Sequence, residues 1–139
     1  MAIFLNNKVG FKLNSVDFSN HVTAFSLNRK SDQVEVTAMG DTSHKYVAGL
    51  SADTITVSLL NDTASSSILQ TLQAAYGTTV SFSAIQDSTA AVSATNVLYS
   101  GTILVDNLTD INGAVADEAT LDITFTCNSK TAVATSGTW

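Results

Sequence analysis

Along residues 52–60, and again along residues 119–127, apolar and hydroxyl side chains take turns. Ile55, Val57 and Leu59 alternate with Thr54, Thr56 and Ser58; Leu121, Ile123, Phe125 and Cys127 alternate with Thr120, Asp122, Thr124 and Thr126. Successive side chains of a strand point to opposite faces, so a period of two commits such segments to a sheet with one face in a core and the other in water. The same period runs more loosely through residues 9–13, 21–29, 34–37, 79–85 and 97–105, with a short apolar piece at 3–5. Gly101, inside the strand expected at 97–105, marks a bulge. The turn-forming Lys30, Ser31 and Asp32 predict that 21–29 and 34–37 pair as a hairpin.

One segment breaks the period. In residues 62–77 the apolar Ile68, Leu69, Leu72, Ala75 and Tyr76 recur every three or four positions, which predicts a helix over about 62–76 with one buried stripe. Asp62 or Thr63 is placed to cap its start, and Gly77 to end it. A lone helix with strands before and after it must lay its stripe on a sheet. The expected fold is therefore mainly β, a sandwich or barrel with one flanking α-helix, built as a single domain over residues 1–139.

Composition narrows the function. Six Lys and Arg against twelve Asp and Glu give a net charge of −6, which argues against a protein that grips nucleic acid through its phosphates. Charged residues are only 13 % of the chain, against roughly 25 % in ordinary globular domains, so much of the surface is neutral, hydroxyl-rich and suited to being covered. Proline is absent, and edge strands lose one common guard against pairing with neighbours. The single Cys127 cannot build a disulfide framework and fits a reducing compartment, where it reads as a small buried residue. The first residues lack the basic lead and apolar length of a signal peptide, and no run reaches membrane-spanning length, so a soluble chain with no membrane partner is expected.

The longer connections carry the residues that could do chemistry. Residues 38–50 form a polar link of a dozen residues, long enough to suggest function. It holds Asp41, His44 and Lys45, yet the other histidine, His21, is distant in sequence, and neither a nucleophile–base pattern nor a metal-ligand spacing accompanies them. The acidic link 106–117 carries Asp106, Asp110 and Asp117 around Ile111, but not the spacing of a calcium loop, and reads as solvated. Residues 86–95 read as an exposed loop. Residues 128–139, ending in an exposed Trp139, read as an arm. No enzyme, cofactor or metal is indicated; a self-associating β protein is.

Three phrases go further. Residues 25–50 (FSLNRKSDQVEVTAMGDTSHKYVAGL), the strand 52–60 running into a helix, and residues 91–105 (AVSATNVLYSGTILV) resemble the major tail tube proteins of long-tailed, non-contractile bacteriophages, particularly those of actinobacterial hosts. The likeness covers most of residues 20–127. It departs where relatives often carry a proline after the last Asn, since Val97 follows Asn96 here. The resemblance implies a structural virion protein: a six-subunit ring whose subunits jointly close a wide β-barrel, stacked helically into a hollow tail that conducts DNA without binding it specifically. It implies partners among the other tail proteins (tape measure, tail tip, terminator), residence in the virion tail, and assembly in the host cytoplasm. It places a ring-stacking loop at 39–50, centred on Met39, Gly40, Asp41, Thr42, Ser43, His44, Lys45 and Tyr46, and neighbour-gripping arms at 1–8 and 128–139. Glu35, between Val34 and Val36, and Asp122, on the non-core side of its strand, are the candidates for facing the lumen. A head-decoration or other ring-forming tail protein, and a β-sandwich that binds surface glycans, are the alternative readings.

Overall fold

The computed structural model describes residues 8–64 and 67–139; the strand piece expected at 3–5 and most of the N-terminal arm lie outside them. In chain order the described elements are β1 (Gly10–Leu13), β2 (Val16–Asp17), a 3-10 turn (Ser19–His21), β3 (Val22–Asn28), β4 (Ser31–Glu35), β5 (Tyr46–Ser51), β6 (Thr54–Leu60), α1 (Ile68–Ala75), β7 (Thr79–Ile85), β8 (Leu98–Leu104), β9 (Thr120–Cys127) and β10 (Ala132–Ala134). All strand pairings are antiparallel. The main sheet runs β2-β1-β7-β8-β9-β6-β3, with β10 also on β8, and β4-β5 form a separate two-stranded ribbon.

The sheet is folded over its own core. β7 and β8 pair along their whole length, as do β6 and β9, whereas β8 and β9 share only Ile103↔Cys127 and Leu104↔Thr126. That short seam lets two layers stack face to face. Phe11, Leu13, Phe82, Ala84, Ile103 and Val105 of one layer meet Ile55, Val57, Leu59, Leu121, Ile123 and Phe125 of the other in a single cluster. The alternation seen in β6 and β9 is the inward half of this arrangement. Phe11 anchors it, with its ring 6.1 Å from that of Phe18 and 5.1 Å from that of Phe25 on β3.

β9 and β10 act as one strand with an excursion. Both pair with the same side of β8, Ala132↔Ser100 continuing where Ile103↔Cys127 stops, and residues 128–131 bulge out between them. The Ser129 hydroxyl accepts the Thr102 amide there, and a Cβ on Gly101 would lie 3.0 Å from that hydroxyl and 3.1 Å from the Phe82 ring. Gly101 thus faces the bulge on the neighbouring strand instead of forming one itself.

The helix is shorter than its periodicity predicts. It runs from Ile68 to Ala75, burying Ile68, Leu72 and Ala75, while Tyr76 is 58 % exposed. Asp62 explains the late start: its carboxylate accepts the Ala64 amide at 2.9 Å and the Ser67 hydroxyl at 2.8 Å. A side chain that satisfies nearby donors in a turn competes with helix formation. At the other end Tyr76 (φ −54°, ψ 130°) and Gly77 (φ 79°), closed by Thr78 N–H to Ala75 C=O at 2.9 Å, make a type II turn that requires the glycine.

The expected pairing of 21–29 with 34–37 is not formed. β3 pairs with β6 and β4 with β5. β3 has an apolar side, Val22, Phe25 and Leu27, packed on the core, and the core lies over β6; β4 is exposed at every residue and has no such side to bury.

Candidate assembly surfaces

Two surfaces stand out because they do what a monomer avoids. The first is the ribbon. Every residue of β4 and β5 is exposed, including Val34 at 48 %, Val47 at 50 %, Tyr46 at 53 % and Leu50 at 81 %; Val36, just past β4, is 48 % exposed, and Met39 at the tip is fully exposed. The link expected to be loop throughout 39–50 becomes strand from Tyr46 onward. Gly49 permits that, since a Cβ there would stand 3.2 Å from the Val34 methyl and 3.3 Å from the Asp32 carbonyl across the ribbon.

Charged and hydroxyl side chains hold the tip in one shape. Glu35 meets His44 at 2.7 Å and accepts the Thr37 hydroxyl at 3.0 Å, and that hydroxyl oxygen in turn accepts the Lys45 amide. Asp41 accepts the Ala38 amide at 2.8 Å and the Lys45 ammonium at 2.5 Å. The Lys45 bond, then the Ala38 amide, hold the Asp41 carboxyl below its ordinary value of 3.8. Asp41, His44 and Lys45, the cluster weighed for catalysis, are here employed in folding a turn. Among the described residues no group of three or more His, Cys, Asp or Glu converges as a metal site.

The second surface is the outward face of β3-β6-β9. Register stacks Ala24, Ser26 and Asn28 beside Ser58, Thr56 and Thr54, and these beside Asp122, Thr124 and Thr126. Thr56 and Thr124 hydroxyls lie 3.4 Å apart. Asp122 is the one charged side chain of this wall. Glu35, the other lumen candidate, sits on the separate ribbon with its carboxylate engaged by His44. Among the described residues the wall ends at β3, which pairs with β6 alone. Its free edge borders a groove of about 400 Å³ lined by Phe25, Leu27, Arg29, Ile85 and Tyr99.

This geometry matches solved structures from tails and virions. The SPP1 tail tube superposes with a TM-score of 0.76 at 10 % identity, covering 99 % of this chain and 81 % of the other. A component of the virion of a native gene transfer agent particle gives 0.73 at 12 % identity, covering 95 % and 99 %. A chain from the tail of an empty gene transfer agent particle, refined with C6 helical symmetry, gives 0.68 at 14 % identity, covering 98 % and 100 %. The chain has the tail-tube fold. No protein-family model and no curated protein matches its sequence.

Within that fold, two anchoring residues escaped the sequence reading. Asp53, only 4 % exposed, accepts the Lys30 amide at 3.0 Å and the Thr131 amide at 2.9 Å, tying the foot of the ribbon to the 128–131 bulge. Burial on its own favours the neutral acid, but the Thr131 and Lys30 amides and the nearby Arg29 guanidinium outweigh it, and the carboxyl titrates below its ordinary value. Asn96, 5 % exposed, folds the 86–95 loop by accepting the Asp87 amide and donating to the Asp87, Ala90 and Ala91 carbonyls. The only sequence signal for either was a polar residue beside an apolar strand. Cys127 is half-buried, and burial followed by the nearby Asp53 charge raises its thiol pKa, consistent with packing. Trp139, expected to be exposed, packs on β1 instead. A Cβ on Gly10 would come within 2.5 Å of its ring, and the Lys12 ammonium lies 4.1 Å from the ring centroid.

Proposed function

We propose that this chain is the repeating subunit of a phage-type tail tube, with six copies closing a ring and rings stacking helically around a DNA channel. The observation that carries the proposal is the ribbon. A two-stranded hairpin is marginal in water on its own, and this one presents Val34, Val36, Met39, Tyr46, Val47 and Leu50 to solvent. Such a surface gains by being covered, and residues 39–46 at its far end are suited to reach the next ring. The unpaired edge of β3 can add a strand from a ring neighbour, which would extend the hydroxyl wall into a closed barrel.

In this reading the wall of β3-β6-β9 lines the channel. Hydroxyls give phosphates no fixed cation to hold, and Asp122 repels them, so DNA passes without adhering. Asp122 is the lumen residue of choice; Glu35 serves the shape of the tip. Residues 1–8 and 128–139 complete the grip on neighbours, the tape measure, tail tip and terminator are the remaining tail partners, and assembly takes place in the host cytoplasm before the tail joins the virion. The likeness of residues 25–50 and 91–105 to tube proteins of actinobacterial phages points to that host group.

Deleting residues 41–45 tests the stacking role. The subunit should remain folded by circular dichroism while long tubes disappear from negative-stain images; tubes of normal length from the deletion would refute it.

A further inference from the structure

Free positive charge is concentrated in one place on this acidic subunit. Of its six basic side chains, Lys12 lies over Trp139, Lys45 is paired with Asp41, and Lys8 is close enough to Asp87 to lower its pKa. The other three, Arg29, Lys30 and Lys130, surround a groove of about 290 Å³ at the foot of the ribbon, floored by Ala48, Gly49 and Ser51. None of the three is in an ion pair among the described residues, although Arg29 is near enough to Asp53 to lower its pKa. Asp53 lies beneath them, but its carboxylate oxygens already accept two amides. Beside the groove, Leu50 is 81 % exposed.

The complement is on the same molecule. The connection from β8 to β9 carries Asp106, Asp110, Asp117 and Glu118, four of the chain's twelve acidic residues, all exposed. Between them Ile111 and Val115 are 94 % and 101 % exposed. The acidic loop with its apolar centre is complementary in charge to the basic groove, and Leu50 is exposed next to that groove in the chain. That is the anatomy of a protein interface, with the charges fixing partner and orientation.

We infer that residues 106–118 of one subunit dock on the ribbon foot of another, giving a head-to-tail contact between copies. This rests on the tube-subunit reading and names the surface that receives the ribbon. Copies that each carry −6 repel one another overall, so a stable stack must bring the basic patch of one against the acid of the next. Because donor and receiver surfaces differ, the contact is heterologous, and placed between rings, where its rotation does not close, it repeats along a tube.

A two-variant mixing experiment tests the inference. One protein carries Arg29→Glu with Lys130→Glu, the other Asp110→Lys with Asp117→Lys, and both are checked for folding by circular dichroism and Trp139 fluorescence. Each alone should lose at least tenfold of the polymer that wild-type protein pellets at low salt. Mixed one to one, each reversed foot meets a reversed loop and each native foot a native loop, so tubes should return. A misfolded variant cannot be rescued in this way. Tubes from either variant alone, or no rescue on mixing, would overturn the contact while leaving the tube reading standing. Wild-type protein that stays monomeric under tail-assembly conditions would bring down that reading and this contact together.

Discussion

Asp53 shows how much of this fold hangs on one carboxylate. It joins residues far apart in sequence, Lys30 and Thr131, through two amides, that of Thr131 buried. Asp53→Ala strands both donors and should cost about 2–4 kcal/mol in urea unfolding. The carboxyl titrates below its ordinary 3.8 in the folded chain, so its stabilisation is complete above that value and is lost as pH falls through the lower folded-state pKa. Stability should therefore decline below about pH 4, and Asp53→Asn, which keeps one acceptor, should flatten that decline. An unchanged acid slope in the variant would remove Asp53 from this role. A second residue can be read optically. Trp139 is the only tryptophan, and a methyl group on Gly10 would stand 2.5 Å from its ring and 2.8 Å from the Ser88 Cβ. Gly10→Ala should expel the indole and red-shift its emission; an unshifted spectrum would mean the ring is held elsewhere.

Elements differ in how plainly the sequence announced them. β6 and β9 alternate because one face is sealed by the core and the other is not, and that asymmetry is written residue by residue. β4 and β5 bury neither face, so nothing in Tyr46-Val47-Ala48-Gly49-Leu50 imposes a period of two, and the sequence predicts loop where β5 forms. Partner choice was equally hidden. The nearest strand after β3 is β4, but only β6 offers β3 a neighbour in the core layer. The helix stripe was visible and its first turn misplaced, since no hydrophobic pattern reveals that the Asp62 carboxylate would close a turn on Ala64 and Ser67. The stripe still makes a quantitative expectation. Leu72 is fully buried, and Leu72→Ala should lower unfolding stability by about 2–5 kcal/mol, with the strand signature in circular dichroism retained. A loss under 1 kcal/mol would mean α1 lies on the sheet more loosely than its burial indicates.

At the scale of the whole molecule, on the proposed tube reading, the hydroxyl wall and its single Asp122 would set the electrostatics of passage. Six copies at −6 each would give a ring of −36, screened beyond ~10 Å at 0.1 M salt, so only charges on the wall itself act strongly on DNA in the channel. Asp122 is exposed and registered opposite Ser58, and Asp122→Lys should leave tubes intact while slowing DNA ejection, with partial recovery on adding salt. Ejection at the wild-type rate in low salt would show that the channel is lined by a different face. The same topology also bears on timing during translation. β6 leaves the ribosome early and can join β3 at once, but its other edge is reserved for β9, from Leu60↔Thr120 to Thr54↔Thr126. The seam to the second layer needs residues later still, Cys127 and then Ala132–Ala134 on β8. Such non-local pairing is slow to form, and a nascent chain folds in the order it emerges. In the proposed tube, a half-made chain would therefore have no wall of three strands to offer, and polymerisation would be postponed, by strand order alone, until the strands that complete the sheet had been made.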